Sequence, residues 1–255
     1  MSKKKILNLL NTIKSIVMKK EIILLALIIA LPILGAAQQE NYAYLALVDK
    51  RINSAMVNDQ YGLTEESLKN IEGSPYESSS FLPGAIYTTE KKLATNVPLR
   101  YNIFADEIEM KKSFSAEDSE YSSLVKDPEY FVKIRNDIYV FIMYNGSVDD
   151  GGYFNVLTDG KHYDLYKKSK VTFIDKQFGR TNYERDTPAH FKKSVAYYLV
   201  SEDGTFYELP NKKNKLIDVF SAKSKEIKKY IKDNNIDIKE EKGLVKIVDY
   251  YNSII

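Results

Sequence analysis

The sequence predicts an α+β protein. An antiparallel β-rich core, a meander that makes either an open or a barrel-like sheet, is followed by a C-terminal helical segment. Three observations predict it. Val97 to Met110 alternates apolar and polar side chains through a proline and a short acidic turn. Two Asp-Gly pairs, Asp159-Gly160 and Asp203-Gly204, each sit between aromatic and β-branched runs. Beyond Asn211 the apolar spacing changes from two to three and four, the helical period.

The 255 residues include 20 tyrosines and 11 phenylalanines, but no cysteine and no tryptophan. A chain this long can bury a sizeable core. Without cysteine there are no disulfides, thiolate nucleophiles or thiolate metal sites.

Residues 1–37 read as a signal peptide, with an uncleaved anchor as the rival reading. Ile22 to Leu34 is apolar and too short for a bilayer span, which needs roughly 20 residues. Lys19 and Lys20 precede it, and Gly35-Ala36-Ala37 places cleavage between Ala37 and Gln38. Met18 reads as an alternative start to Met1. With no cysteine after the apolar run, a lipoprotein anchor is excluded, and no membrane span is expected after cleavage. Residues 1–37 carry six lysines and one glutamate. Removing them turns the formal charge of +2 into about −3. That balance argues against a nucleic-acid binder.

Residues 38–72 form a leader, with a helix predicted over Tyr42 to Val57 and one more helical turn over Thr64 to Lys69. The β domain spans 73–210. It opens with Gly73-Ser74-Pro75, where proline keeps Ser74 out of the α region. Ala85 to Thr89 is a strand, and Glu90 to Ala94 a turn. Val97, Leu99, Tyr101 and Ile103 mark a strand with one buried face. Ala105-Asp106 turns it into Glu107 to Lys111, with Glu107 and Glu109 on a face expected to be exposed. Ser113 to Pro128 reads as irregular. Ile134 leads into Asp137 to Tyr144, a central strand buried on both faces. Asn145-Gly146 ends it, and Asp149 to Gly152 reads as a loop. Tyr153 to Leu157 and Lys161 to Tyr166 make a hairpin around Asp159-Gly160. Lys170 to Asp175 is a further strand, and Phe178 to Ala189 a polar loop. Ala196 to Val200 and Thr205 to Leu209 make the last hairpin.

Residues 211–255 are helices packed on the β domain. Asn211 is an N-cap candidate for a helix through Phe220, and Ser221 for the next. Ile227, Tyr230 and Ile231 form one apolar stripe. Leu244, Ile247, Val248 and Tyr251 form another, in a helix over Glu240 to Asn252. These stripes are expected to pack inward and leave the lysines outward.

The elements GSPY (73–76), VPLRYNIFADEIEMK (97–111), YFNVLTDGKHYDLYKK (153–168) and the lysine-rich C-terminus resemble an uncharacterised family of exported Bacteroidota proteins. The resemblance runs from about Asn70 to the end. It implies an exported location and a β-rich fold, and brings no catalytic residue. Glu77 departs from the pattern, which has an apolar residue there.

No catalytic signature stands out, and no cofactor is predicted. The two histidines, His162 and His190, lie outside any HExxH spacing, and GxSxG is absent. Asp149-Asp150-Gly151 lacks the distal ligands of a calcium loop. Asp106, Glu107 and Glu109 would need to straddle a substrate to act as a glycosidase pair. A lysine concentration from Lys212 to Lys232 offers Lys225, Lys228 and Lys232 as candidates for an anionic partner. Tyr197, Tyr198, Tyr250 and Tyr251 read as core and interface residues by default, with lining of a glycan site as the alternative. The expected function is a non-catalytic cell-envelope module, periplasmic or secreted, that binds a partner protein or an anionic or apolar ligand. The alternative is a hydrolase acting on an envelope or extracellular glycan or peptide.

Overall fold

A computed structural model describes residues 47–49, 60–144, 147–179 and 185–255. The chain divides into two compact units, Met1–Leu47 and Val48–Ile255. The predicted signal peptide and its Ala37/Gln38 junction lie outside the described residues, as do most of the helix expected over 42–57 and the Asn145-Gly146 turn. Within that expected helix, Val48–Asp49 is instead a short strand, β1.

The second unit is built on β2 (Leu82–Tyr87), β3 (Lys92–Asn102), β4 (Glu107–Lys111), β5 (Tyr121–Leu124) and β6 (Phe131–Ile134). It continues with β7 (Asp137–Tyr144), β8 (Ser147–Thr158), β9 (Tyr163–Ile174), β10 (His190–Ser201) and β11 (Phe206–Glu208). All eleven strands join one open antiparallel sheet in the order β1-β5-β4-β3-β2-β6-β7-β8-β9-β10-β11. β1 lies at one edge, and the chain next enters the middle of the sheet, at β2. It lays β3 to β5 to one side, crosses back to β6, and runs out as a meander.

The sheet curls over its own face. Tyr101 of β3 meets Tyr139 of β7 at 5.1 Å and Tyr153 of β8 at 6.1 Å between ring centroids. The tip of the β3–β4 hairpin closes the curl. There Asp106 adopts φ 53°, left-handed backbone that a turn aspartate tolerates. β8 pairs with β9 only from Asn155 onward. Just before that point Asp106 takes the place of a strand partner. Its Oδ1 accepts the Tyr153 N–H (3.3 Å) and the Tyr101 hydroxyl (2.6 Å). Lys168 Nζ donates to Asp106 Oδ2 (2.7 Å) and to the Tyr153 carbonyl (2.9 Å). Gly152 packs directly beside this knot, where a Cβ would displace the Lys168 ammonium and the Asp106 carboxylate.

Helix α1 (Glu65–Asn70) starts at Thr64, which makes a reciprocal capping box with Ser67. Three helices follow the sheet: α2 (Lys213–Val219), α3 (Ser224–Asp233) and α4 (Glu241–Ile254). They bury Leu216, Phe220, Ile227, Ile231, Leu244, Ile247 and Val248 against Leu165 and Leu199 of the sheet. Both predicted stripes therefore pack inward, with Tyr230 at the margin, stacked on Tyr250 at 3.9 Å. Asn252 ties α4 to the β8–β9 hairpin. It accepts the N–H groups of His162 (3.0 Å) and Tyr163 (2.9 Å) and donates to the Tyr163 carbonyl (2.8 Å). Gly243 lets α4 start tightly, since a Cβ there would run into the Asp237 carbonyl.

Several local expectations are corrected. Residues 149–152 continue β8, and residues 170–174 continue β9, because both are held by long antiparallel neighbours. β3 begins at Lys92, within the expected turn, through a bulged register with β2. β5 lies inside the stretch read as irregular, and β6 turns into β7 through Arg135 at φ 54°. Neither Asn211 nor Ser221 caps a helix. The N-cap positions are Lys212 and Lys223, neither with a side-chain cap bond, and a 3-10 turn over Ser221–Lys223 links α2 to α3.

Candidate functional site

Strand alternation gives β8 to β11 two different faces. Leu165, Leu199, Tyr163 and Tyr197 point to the helices. Their neighbours Asp164, Tyr166, Tyr198 and Val200 point the other way. On that second face Phe154, Tyr166, Tyr198 and Phe206 form one continuous aromatic cluster. Phe154 reaches Phe206 at 5.4 Å, Tyr198 at 5.8 Å and Tyr166 at 6.4 Å, and Phe206 reaches Tyr166 and Tyr198 at 5.9 Å each. All four rings are half-buried. They pack in the tilted and edge-on arrangements that aromatic pairs prefer. Lys168 Nζ lies over the Phe154 ring at 5.1 Å.

At the hairpin end the patch runs into an open cleft of about 320 Å³, with Tyr166, Phe206 and Val200 as its apolar wall and Asp159, Asp164 and Glu202 around it. Burial pushes the Asp164 carboxyl up, and the Asp159 charge adds to this against the Gly160 N–H, which donates at 3.0 Å. Burial and the Asp164 charge push the Tyr166 hydroxyl up to about 12. Glu202 is held by His162 Nδ1 at 2.7 Å. The second histidine is elsewhere, with Nδ1 at 3.0 Å from the Pro188 carbonyl. Ser201 Oγ donates to Asp203. Among the described residues no group of three His, Asp or Glu side chains could hold a metal ion.

The carboxylates expected on an exposed face of β4 are buried. Glu107 is 2% exposed and Glu109 0%. The reason is the segment before β2, which crosses that face and brings Tyr76 and Phe81 over the Arg100 guanidinium at 3.8 and 4.2 Å. Arg100 donates through Nε (2.8 Å) and Nη2 to Glu109 Oε2, and through Nη1 to the Ser79 carbonyl (3.0 Å). Asn102 donates to Glu109 Oε1 (2.8 Å), and Ser123 to Glu107 Oε2 (2.8 Å). This is a closed network with no opening toward a substrate. Asp106, the third residue of that candidate set, is engaged in the knot with Lys168.

Lys225, Lys228 and Lys232 are exposed along one side of α3. Among the described residues no carboxylate lies within ion-pair distance of them. Lys229 instead pairs with Asp233 (3.6 Å) and Lys223 with Glu226 (4.0 Å). Reversing all three to Glu is expected to change stability by less than about 1 kcal/mol, because exposed charges contribute little. Urea denaturation checks this.

The structure thus separates the four tyrosines singled out by sequence. Tyr197 and Tyr251 pack toward the helices, Tyr250 stacks on Tyr230, and Tyr198 joins the open face. Sequence reasoning missed Phe154, Tyr166 and Phe206. The signal lay in alternation: in DLYK (164–167) and YLV (198–200) a tyrosine sits next to the leucine that faces the helices. Among the described residues no helix is long and apolar enough to cross a membrane. In comparisons with known proteins, the chain matches no family model, no curated protein and no solved structure.

Proposed function

We propose that this chain is an exported, non-catalytic cell-envelope module that binds a partner protein through the aromatic face of β8 to β11. The aromatic cluster carries the reading. Four half-buried rings gathered on the face opposite the helices, beside a shallow cleft, suit a protein surface better than a small molecule, which needs enclosure. The short apolar run ending in Gly35-Ala36-Ala37, and the resemblance to exported Bacteroidota proteins, support export. The lysine side of α3 is a second candidate surface, for an anionic ligand.

One observation favours the hydrolase alternative. Asp164 has a raised pKa and lies in a cleft with a second carboxylate, Glu202, and two aromatic walls. In that reading Asp164 donates the proton.

Photo-cross-linking separates these readings. A benzophenone side chain placed at Tyr198 or Phe206 is expected to give one discrete adduct in the native envelope, and one placed at Lys225 none. Adducts from Lys225 alone would move the contact to the basic side of α3. Hydrolysis of envelope glycan by the purified protein, lost in Asp164→Asn with folding intact, would establish the enzyme instead.

A further inference from the structure

We propose that the open edge of β10 accepts an extended, acidic peptide segment as an added antiparallel or parallel strand. The edge lies apart from the aromatic cluster and does not depend on it, although Lys192 and Lys170 share the face of β9 and β10 that carries Tyr198 and Tyr166. β10 pairs with β9 along its whole length, from His190 to Ser201. Among the described residues the backbone of its other edge is paired only toward the two ends, and in between the Lys193 side chain bonds Glu77 on the opposite face from Lys192. The Phe191 N–H donates to the Glu72 carbonyl (2.8 Å), and the Tyr197 carbonyl accepts the Leu209 N–H (2.8 Å) just before β11. These two bonds fix the direction of the backbone. Odd-numbered residues of β10 turn their N–H and C=O groups away from β9, so those of Lys193 and Val195 point outward in the gap. Among the described residues nothing pairs with them. Lys192, Lys193, Ser194 and Val195 are all exposed, Val195 at 40%.

An exposed row of N–H and C=O groups is a template for another strand, and peptide recognition by strand addition uses such edges. The charge beside the gap selects the occupant. Lys192 and Lys170, close in the β9–β10 register where Ser194 faces Lys170, lie on one face of the sheet. Both are exposed, and among the described residues neither has a carboxylate within ion-pair distance. An incoming strand with carboxylates on that face would be held by both. A second copy of this chain would bring the same lysines to its own edge, which disfavours self-pairing.

The test uses the chain from Val48 onward within the full protein and a seven-residue peptide of alternating Glu and Val, capped at both ends, with a Lys-Val peptide as control. Amide NMR is expected to show perturbation centred on Lys193 and Val195 with the acidic peptide and much less with the basic one. Val195→Pro removes an outward N–H without breaking the β9 ladder, a substitution that an edge tolerates. It is expected to weaken acidic-peptide binding about tenfold or more. Lys170→Glu with Lys192→Glu leaves the backbone untouched and is expected to reverse the preference between the two peptides. This second variant keeps the test decisive if Val195→Pro does not fold. The proposal is overturned if millimolar acidic peptide leaves the β10 amides unmoved. Equal binding of both peptides, unchanged affinity in a folded Val195→Pro protein, or self-association through this edge would overturn it as well. The aromatic-face variants report on the other surface, so either reading can fail alone.

Discussion

Glu109→Ala is expected to destabilise the protein by about 3–5 kcal/mol, because it leaves the Arg100 guanidinium buried without its carboxylate. The effect is large for a domain whose total stability is on the order of 5–15 kcal/mol. Arg100 is 7% exposed, sandwiched by Tyr76 and Phe81, and cannot turn out to water without lifting the segment that covers it. Asn102 loses an acceptor at the same time. Replacing the pair together, Arg100→Met with Glu109→Leu, removes both charges and is expected to cost much less. Guanidinium denaturation of the three proteins checks the order. The same site sets a pH dependence. Burial raises the Glu109 carboxyl, against the pull of Arg100 and Asn102. The folded state then holds a proton that the unfolded state has released. Stability from this group is therefore lost as pH rises from the ordinary carboxylate range through the raised value. In Glu109→Gln that decline should be absent.

Ile247→Ala is expected to cost about 2–5 kcal/mol. Ile247 is 1% exposed in the cluster that joins the three C-terminal helices to Leu165 and Leu199. Isolated helices of 7, 10 and 14 residues are marginal in water, so this packing is what holds them. Removing three buried carbons there leaves a cavity that the tied hairpin at Asn252 cannot close. Thermal and urea unfolding check it. Unchanged stability would mean that the helices are not fixed to the sheet as described.

Period-two and period-three-to-four patterns carried the α+β class, the β3–β4 hairpin and both helical stripes, because each of those segments buries one face. Elements whose burial is decided by distant partners were not legible. Glu107 and Glu109 read as a solvent face, since only the segment carrying Tyr76 and Phe81, some thirty residues upstream in sequence, shows that the face is covered. Asp149 to Gly152 read as a turn from composition, yet pairing with β7 draws it into β8. The same limit applies to the candidate surface. Tyr198 was visible as an ambiguous aromatic. Its grouping with Phe154, Tyr166 and Phe206 depends on the register of four strands. The lysines of α3, by contrast, were placed outward by helical spacing alone.

The β8–β11 face opposite the helices is the proposed contact surface. Hydroxyl-radical footprinting of the purified protein and of the protein in its native envelope compares the exposure of that face in the two settings. Phe154, Tyr166, Tyr198 and Phe206 are expected to be oxidised in the purified protein and protected in the envelope, while the buried Phe220 and Tyr153 are slow in both. Equal oxidation of the four rings in both settings would contradict the proposal.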